Sequence, residues 1–262
     1  MGSTVMVALG SLGAGACGGL LSGLFGIGGG IVLIPLLGLM LGLPQHQAQG
    51  LGLAAMLLPN GLPAVLHMRR RGVTIHGSLV ALMVAGFLPA VWAGARVANR
   101  IPEPPLRCAF ASLLVVLAVR TFLQRPKPAD PEPEDGARGL GPILLPGLAI
   151  GLAGGLASGL LSIGGAILMI PLMVWLLRLP QHEAQAASLA VMLPPIGLPG
   201  VWVYAHSGTG LPLLPLAGVA LGFLTGAYFG ARIATRTRGR RLRQGFALLM
   251  AAMAVLLFMK GF

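Results

Sequence analysis

Gly19-Leu-Leu-Ser-Gly-Leu-Phe-Gly-Ile-Gly-Gly-Gly-Ile-Val-Leu-Ile-Pro-Leu-Leu37 recurs 136 residues later as Gly155-Leu-Ala-Ser-Gly-Leu-Leu-Ser-Ile-Gly-Gly-Ala-Ile-Leu-Met-Ile-Pro-Leu-Met173, with 12 of 19 positions identical and no gap. The same offset aligns Leu43-Pro-Gln-His-Gln-Ala-Gln-Gly-Leu-Gly-Leu-Ala54 with Leu179-Pro-Gln-His-Glu-Ala-Gln-Ala-Ala-Ser-Leu-Ala190. It also aligns Gly61-Leu-Pro63 with Gly197-Leu-Pro199, and Gly94-Ala-Arg96 with Gly230-Ala-Arg232. Four blocks in one register mark an internal duplication.

Outward from these blocks, each copy reads as five apolar segments: 4–25, 28–43, 47–66, 74–98 and 105–123, then 141–161, 164–179, 183–204, 211–234 and 244–262. The chain has 262 residues, 56% apolar and only 9% charged, against about 25% charged in a soluble domain. An ordinary soluble enzyme is thereby excluded, as is a disordered chain. Two cysteines, Cys17 and Cys108, are too few for a disulfide scaffold and read as small packing residues. At about 20 residues per span, the expectation is an all-α integral membrane protein. Residues 1–124 form the first transmembrane repeat, 125–140 a Pro-rich, charged, solvated linker, and 141–262 the second repeat. The start, Met1–Ala16, has no basic region and is expected to stay as the first span.

Orientation follows from the distribution of cations. With an odd number of crossings per copy the second copy is inverted. One side then holds Arg69, Arg70, Arg71, Arg120, Arg125, Lys127, Arg138, Arg178, Arg232, Arg236, Arg238, Arg240, Arg241 and Arg243, which is 14 of the 18 basic residues. Arg96, Arg100, Arg107 and Lys260 are left on the other. Parallel copies would split them 8 to 10. Cytoplasmic loops collect positive charge, so inverted-topology repeats of about five segments each are expected, with both termini outside and the linker cytoplasmic. The net charge of +12 is thus a matter of orientation and calls for no nucleic acid.

Gly26-Ile-Gly-Gly-Gly30 and Ser162-Ile-Gly-Gly-Ala166 lie between apolar segments with no charge nearby. Each helical glycine costs about 1 kcal/mol against Ala, so the helices are expected to break there, near mid-membrane. A break inside the bilayer is viable only when buried in protein or facing water. The helix that follows presents free N–H groups and a positive dipole end. Close helix packing is the competing reading of these glycines. On the first reading Gly28, Gly29, Gly30, Gly164 and Gly165 offer backbone N–H groups to a small anion. Side-chain contacts would come from His46 and His182, which open the third segments, and from Gln49 and Gln185 one turn on. Ser188 extends that stripe in the second copy, and Asn60 is an amide in mid-span.

Enzymatic and cofactor readings fail. Gly26-Ile-Gly28 lacks the third glycine of a dinucleotide loop, no Lys-Ser/Thr follows for a phosphate loop, and His182-Glu183 has Ala186 where a zinc motif needs His. No metal or cofactor is expected. Of the six acids only Glu183 lies at a segment edge, whereas cation carriers use buried carboxylates. An anion is therefore the better cargo, and a coupling proton, if carried, would use His46, His182 or Glu183.

At these motifs the sequence resembles the sulfite exporter TauE/SafE family of bacterial membrane proteins, also called the toluene-sulfonate uptake permease family. The resemblance rests on Gly-Ile-Gly-Gly-Gly30-Ile-x-x-Ile-Pro35, His46-x-Ala48 and Gly-Ala-Arg96, with their second copies, and covers both halves apart from the linker. It implies an inner-membrane transporter of sulfite, organosulfonates or related anions of sulfur metabolism, with export as the direction. The family's Thr-Ser after His-x-Ala-x-Gly is replaced here by Leu51-Gly52, and the second copy keeps only Ser188. Secondary transport by alternating access is the function expected from two inverted repeats. An anion channel and a non-transporting membrane scaffold or partner subunit are the alternatives. The small anionic substrate and the lipid bilayer are the expected partners.

Overall fold

In the computed structural model, twelve helices make up the described residues, which are 2–25, 30–57, 62–70, 72–123, 140–206, 211–234 and 239–261. They are α1 (Gly2–Phe25), α2 (Gly30–Met40), α3 (Gln45–Ala55), α4 (Leu62–Arg70), α5 (Gly77–Ala98) and α6 (Glu103–Leu123), followed by α7 (Leu140–Leu161), α8 (Ala166–Leu176), α9 (Gln181–Val191), α10 (Leu198–His206), α11 (Leu213–Ala234) and α12 (Gly239–Gly261). The bounds of α2 to α5 return in α8 to α11 after adding 136. The fold therefore repeats where the sequence does. The linker lies outside the described residues.

Among the described residues four helices are long and apolar enough to cross a membrane, within α1, α5, α7 and α11. Large apolar side chains cover the outside, among them Leu145, Trp175, Trp202, Leu213 and Leu248. Helices apolar on every face belong in lipid or in a core, and here they have both.

Among the described residues each half contains six helices, one more than the five apolar segments of the sequence. The third segment is divided in both copies, into α3 and α4 and into α9 and α10. In the second copy Pro194-Pro195 is responsible. Prolines donate no N–H and hold the preceding residue out of the helical region. The chain turns there, with Ile196 N–H bonded to Pro194 O at 2.7 Å, and resumes its helix at Leu198.

The second segments double back. A Cβ at Gly18 would touch Leu33, and one at Gly10 would touch Leu41, so α2 retraces α1 toward its start. Gly154 meets Met169 in the matching way. With 11 residues each, α2 and α8 are only about 16 Å long. Both end in the same left-handed turn, at Gly42 (φ 64) and at Arg178 (φ 51), positions 136 apart.

The halves interlock through two seams. α1 packs most extensively on α11, and α5 on α7. Side chains at Gly15 and Gly19 would overlap the carbonyls of Val219 and Phe223, and at Gly151 and Gly155 those of Met83 and Phe87. Residue numbers rise together across both seams, so the paired helices run parallel. Small residues let backbones approach this closely, as membrane helices do in place of hydrophobic collapse. The packing role of glycine thus falls to these seams.

Candidate functional site

The chain between α7 and α8 leaves the helical path. Ser162 adopts φ 53 and Gly164 φ 65, conformations that cost a residue with a side chain about 1–3 kcal/mol. Glycine at 164 removes that cost, and Ser162 bears it. This is the expected helix interruption. Its counterpart, including Gly28 and Gly29, lies outside the described residues, as does Asn60.

The first described residue after that counterpart, Gly30, is buried against the second interruption. A side chain there would collide with the Ser162 carbonyl and touch Met56 Cε. The start of α2 therefore meets the chain that leads into α8 at one junction. A Cβ at Gly164 would lie 3.3 Å from Met56 Cε and 3.3 Å from Met192 Cε. Met56 and Met192 cap α3 and α9 and stand 136 apart, so one thioether from each half closes on the junction. At Gly165, the residue before α8, Phe87 and Gly154 fill the space where a side chain would go.

Gln49 is fully buried in α3. Its Oε1 accepts the Tyr204 hydroxyl at 2.9 Å, and the same hydroxyl lies 3.0 Å from Gly159 O at the end of α7. The Ser162 hydroxyl, also fully buried, adjoins that of Tyr204 without an aligned bond. A polar chain thus runs from α3 of one half, through α10, to the α7–α8 interruption of the other. Gln49 Nε2 and the fully buried Ser188 Oγ have no hydrogen-bond partner. A buried polar group left unpaired costs about 1–3 kcal/mol, and Gln45 Nε2 and Asn99 Nδ2 stand unpartnered in the same way.

The other expected residues are placed differently. His46 opens α3, half-buried, with Nδ1 unpartnered. Ten residues separate it from Met56, about 15 Å of helix, so it stands at the far end of the half-helix from the junction. His182 has the same position in α9, its side chain lying outside the described residues. Gln185 is half-buried, and Met68 stands where a second Tyr204 would be, so the Gln–Tyr bond has no twin. Glu183 pairs with His76 across α9 and α5, Nε2 to Oε2 3.7 Å. Glu103, the other described acid, pairs with Arg107.

Tyr204, Ser162 and the methionine pair are absent from the sequence-derived set. Continuing the repeat alignment would have reached the methionines, since Ala54-x-Met56-Leu57-x-Pro59 matches Ala190-x-Met192-Leu193-x-Pro195. Tyr204 has no such signal, because it breaks the repeat. Among the described residues no group of three or more His, Cys, Asp or Glu side chains could hold a metal ion.

The chain is 25% identical to a probable membrane transporter protein of Haemophilus influenzae over 270 residues, covering 94% of this chain and 96% of the relative. No solved structure matches it significantly. The family model described as sulfite exporter TauE/SafE matches residues 11–257, which spans both seams, the doubled-back helices and the junction: this chain belongs to the TauE/SafE family of membrane transporters.

Proposed function

We propose that the protein is a secondary transporter of a small anion such as sulfite or an organosulfonate, working by alternating access between two inverted repeats in the bacterial inner membrane. The observation that carries this is the junction, where Gly30 at the start of α2 meets the α7–α8 interruption of the other half beside buried polar atoms without partners. No cofactor or enzymatic step enters the reading.

Inversion is supported by the path of the chain. α2 retraces α1, so α3 and α4 together make one crossing before α5, and α1 and α5 run oppositely. α7 runs with α5 across their seam, hence opposite to α1. On that path the termini and the linker would fall on opposite sides, and the 14-to-4 division of basic residues would put the linker in the cytoplasm and the termini outside. Rocking one half against the other would expose the junction to each side in turn. Gly28, Gly29, Gly30 and Gly164 would supply backbone N–H groups, with Gln49 and Ser188 as side-chain donors. His46, Asn60, His182 and Gln185 would line the approaches. Export is the direction suggested by the family's description. The two described acids each face a basic side chain, His76 and Arg107, which favours an anionic cargo over a cationic one.

Counterflow of labelled sulfite into proteoliposomes, against competing sulfonates and other small anions, tests the proposal. Saturable exchange competed by sulfonates is expected. Large unitary currents in planar bilayers would make the protein a channel, and absence of flux for every anion would make it a scaffold or partner subunit.

A further inference from the structure

Pro89, Ala90 and Ala93 of α5, with Leu152, Ala153 and Leu156 of α7, line an apolar groove of about 390 Å³ on the outer surface. The groove follows the α5–α7 seam. The equivalent seam, between α11 and α1, has Phe229 in the place of Ala93, its ring edge-on to Tyr228 at 5.6 Å. A small residue in one seam and a large ring at the matching place in the other make the two seams unequal on their outer face.

Toward the end of α5 the groove leads to cations. At 3.6 residues per turn Pro89, Ala93 and Arg96 share a face, with Arg100 about one turn further. The Arg96 guanidinium stacks on Trp92 at 3.8 Å from the ring centroid, and Arg96 and Arg100 are both exposed. Glu183 faces His76 and Glu103 pairs with Arg107, so among the described residues no carboxylate neutralises Arg96 or Arg100. The apolar span ends at Ala98. Trp92 and Arg96 therefore occupy its last two turns, where aromatic and snorkelling basic side chains meet lipid headgroups.

We infer that this groove binds one anionic phospholipid, with an acyl chain along Ala93 and Pro89 and the phosphate held by Arg96 and Arg100. Charge decides the headgroup: a zwitterionic lipid would bring its own ammonium beside two unpaired arginines, and an anionic one would not. Six lining side chains are far fewer than the roughly 20–30 per partner of a stable protein interface, which argues against a second copy of the chain.

Native mass spectrometry of the purified full-length protein, titrated with phosphatidylglycerol or phosphatidylcholine of identical acyl chains, tests this. A retained one-to-one adduct with phosphatidylglycerol is expected, and weaker retention of phosphatidylcholine. Arg96→Gln and Arg100→Gln should each weaken the phosphatidylglycerol adduct about five-fold. Ala93→Phe, which imports the second-half residue, should remove the adduct, and Ala153→Leu on the opposite wall gives the same readout should the first variant fold poorly. Equal retention of the two lipids, or an adduct untouched by both groove-filling variants, overturns the proposal. So does a dimer that Ala93→Phe abolishes, which would assign the groove to a second copy.

Discussion

The Tyr204 hydroxyl donates to Gln49 Oε1 at 2.9 Å, tying α10 of the second repeat to α3 of the first in a buried environment. It stands 3.0 Å from Gly159 O as well, and one phenolic proton is shared between the two oxygens. Both broken helix pairs are thus represented at a single hydroxyl beside the α7–α8 interruption.

Tyr204→Phe removes this tie while keeping the ring. Gln49, fully buried, then loses its one identified partner. A loss of about 1–3 kcal/mol is expected, read as a lowered thermal unfolding midpoint in detergent, together with reduced counterflow. An unchanged midpoint would mean that the hydrogen bonds do not hold the halves together.

Gly30→Ala places a methyl against the Ser162 carbonyl. That contact is with backbone and cannot be relieved by a rotamer change, so the junction must open. Transport is expected to be lost while membrane insertion, checked by expression and fractionation, is kept. Gly29→Val is expected to behave in the same way. Wild-type flux in Gly30→Ala would remove the junction from the transport path.

Met56→Ala and Met192→Ala withdraw the thioethers from Gly164. Truncating a large core side chain to Ala costs about 2–5 kcal/mol when fully buried, and less here because both methionines are only half-buried. The sharper readout is leak: each variant should pass labelled anion without counter-substrate, and the double variant more than either. Tight, unaltered exchange in the double variant would mean that the methionines close nothing.

Gly19→Ala and Gly13→Ala should have opposite signs. At Gly19 the new methyl would meet the Phe223 carbonyl in the α1–α11 seam, whereas at Gly13 nothing lies within 4 Å. Gly13→Ala is expected to stabilise by up to about 1 kcal/mol through helix propensity, and Gly19→Ala to destabilise. Thermal unfolding of the two variants side by side decides it, and equal shifts would count against close seam packing.

Much of this was legible in the residues. The 136-residue offset returns in the helix bounds, and the expected interruption at Ser162–Gly165 is present. The division of the third segment was harder to see. Pro194-Pro195 was visible, but hydropathy runs unbroken across it, because a kinked backbone buried among helices needs no polar side chains. Glycines were ambiguous for a related reason: Gly19 and Gly164 lie in equally apolar stretches, yet one lets two backbones touch and the other takes a positive φ.

Duplication, lipid residence and membership of a transporter family follow from the sequence alone, because composition, periodicity and repeat register are properties of the chain in any conformation. Which residues meet at the middle was decided by the tertiary structure. His46 and Gln49 are neighbours in the motif, but α3 carries them at different depths, one at the outer end of the half-helix and one against Tyr204. Tyr204 and Met56 reach the junction only because α2 and α8 turn back and the halves interlock. Contacts between residues more than a hundred positions apart depend on helix reversal and packing, and neither leaves a local signature in sequence.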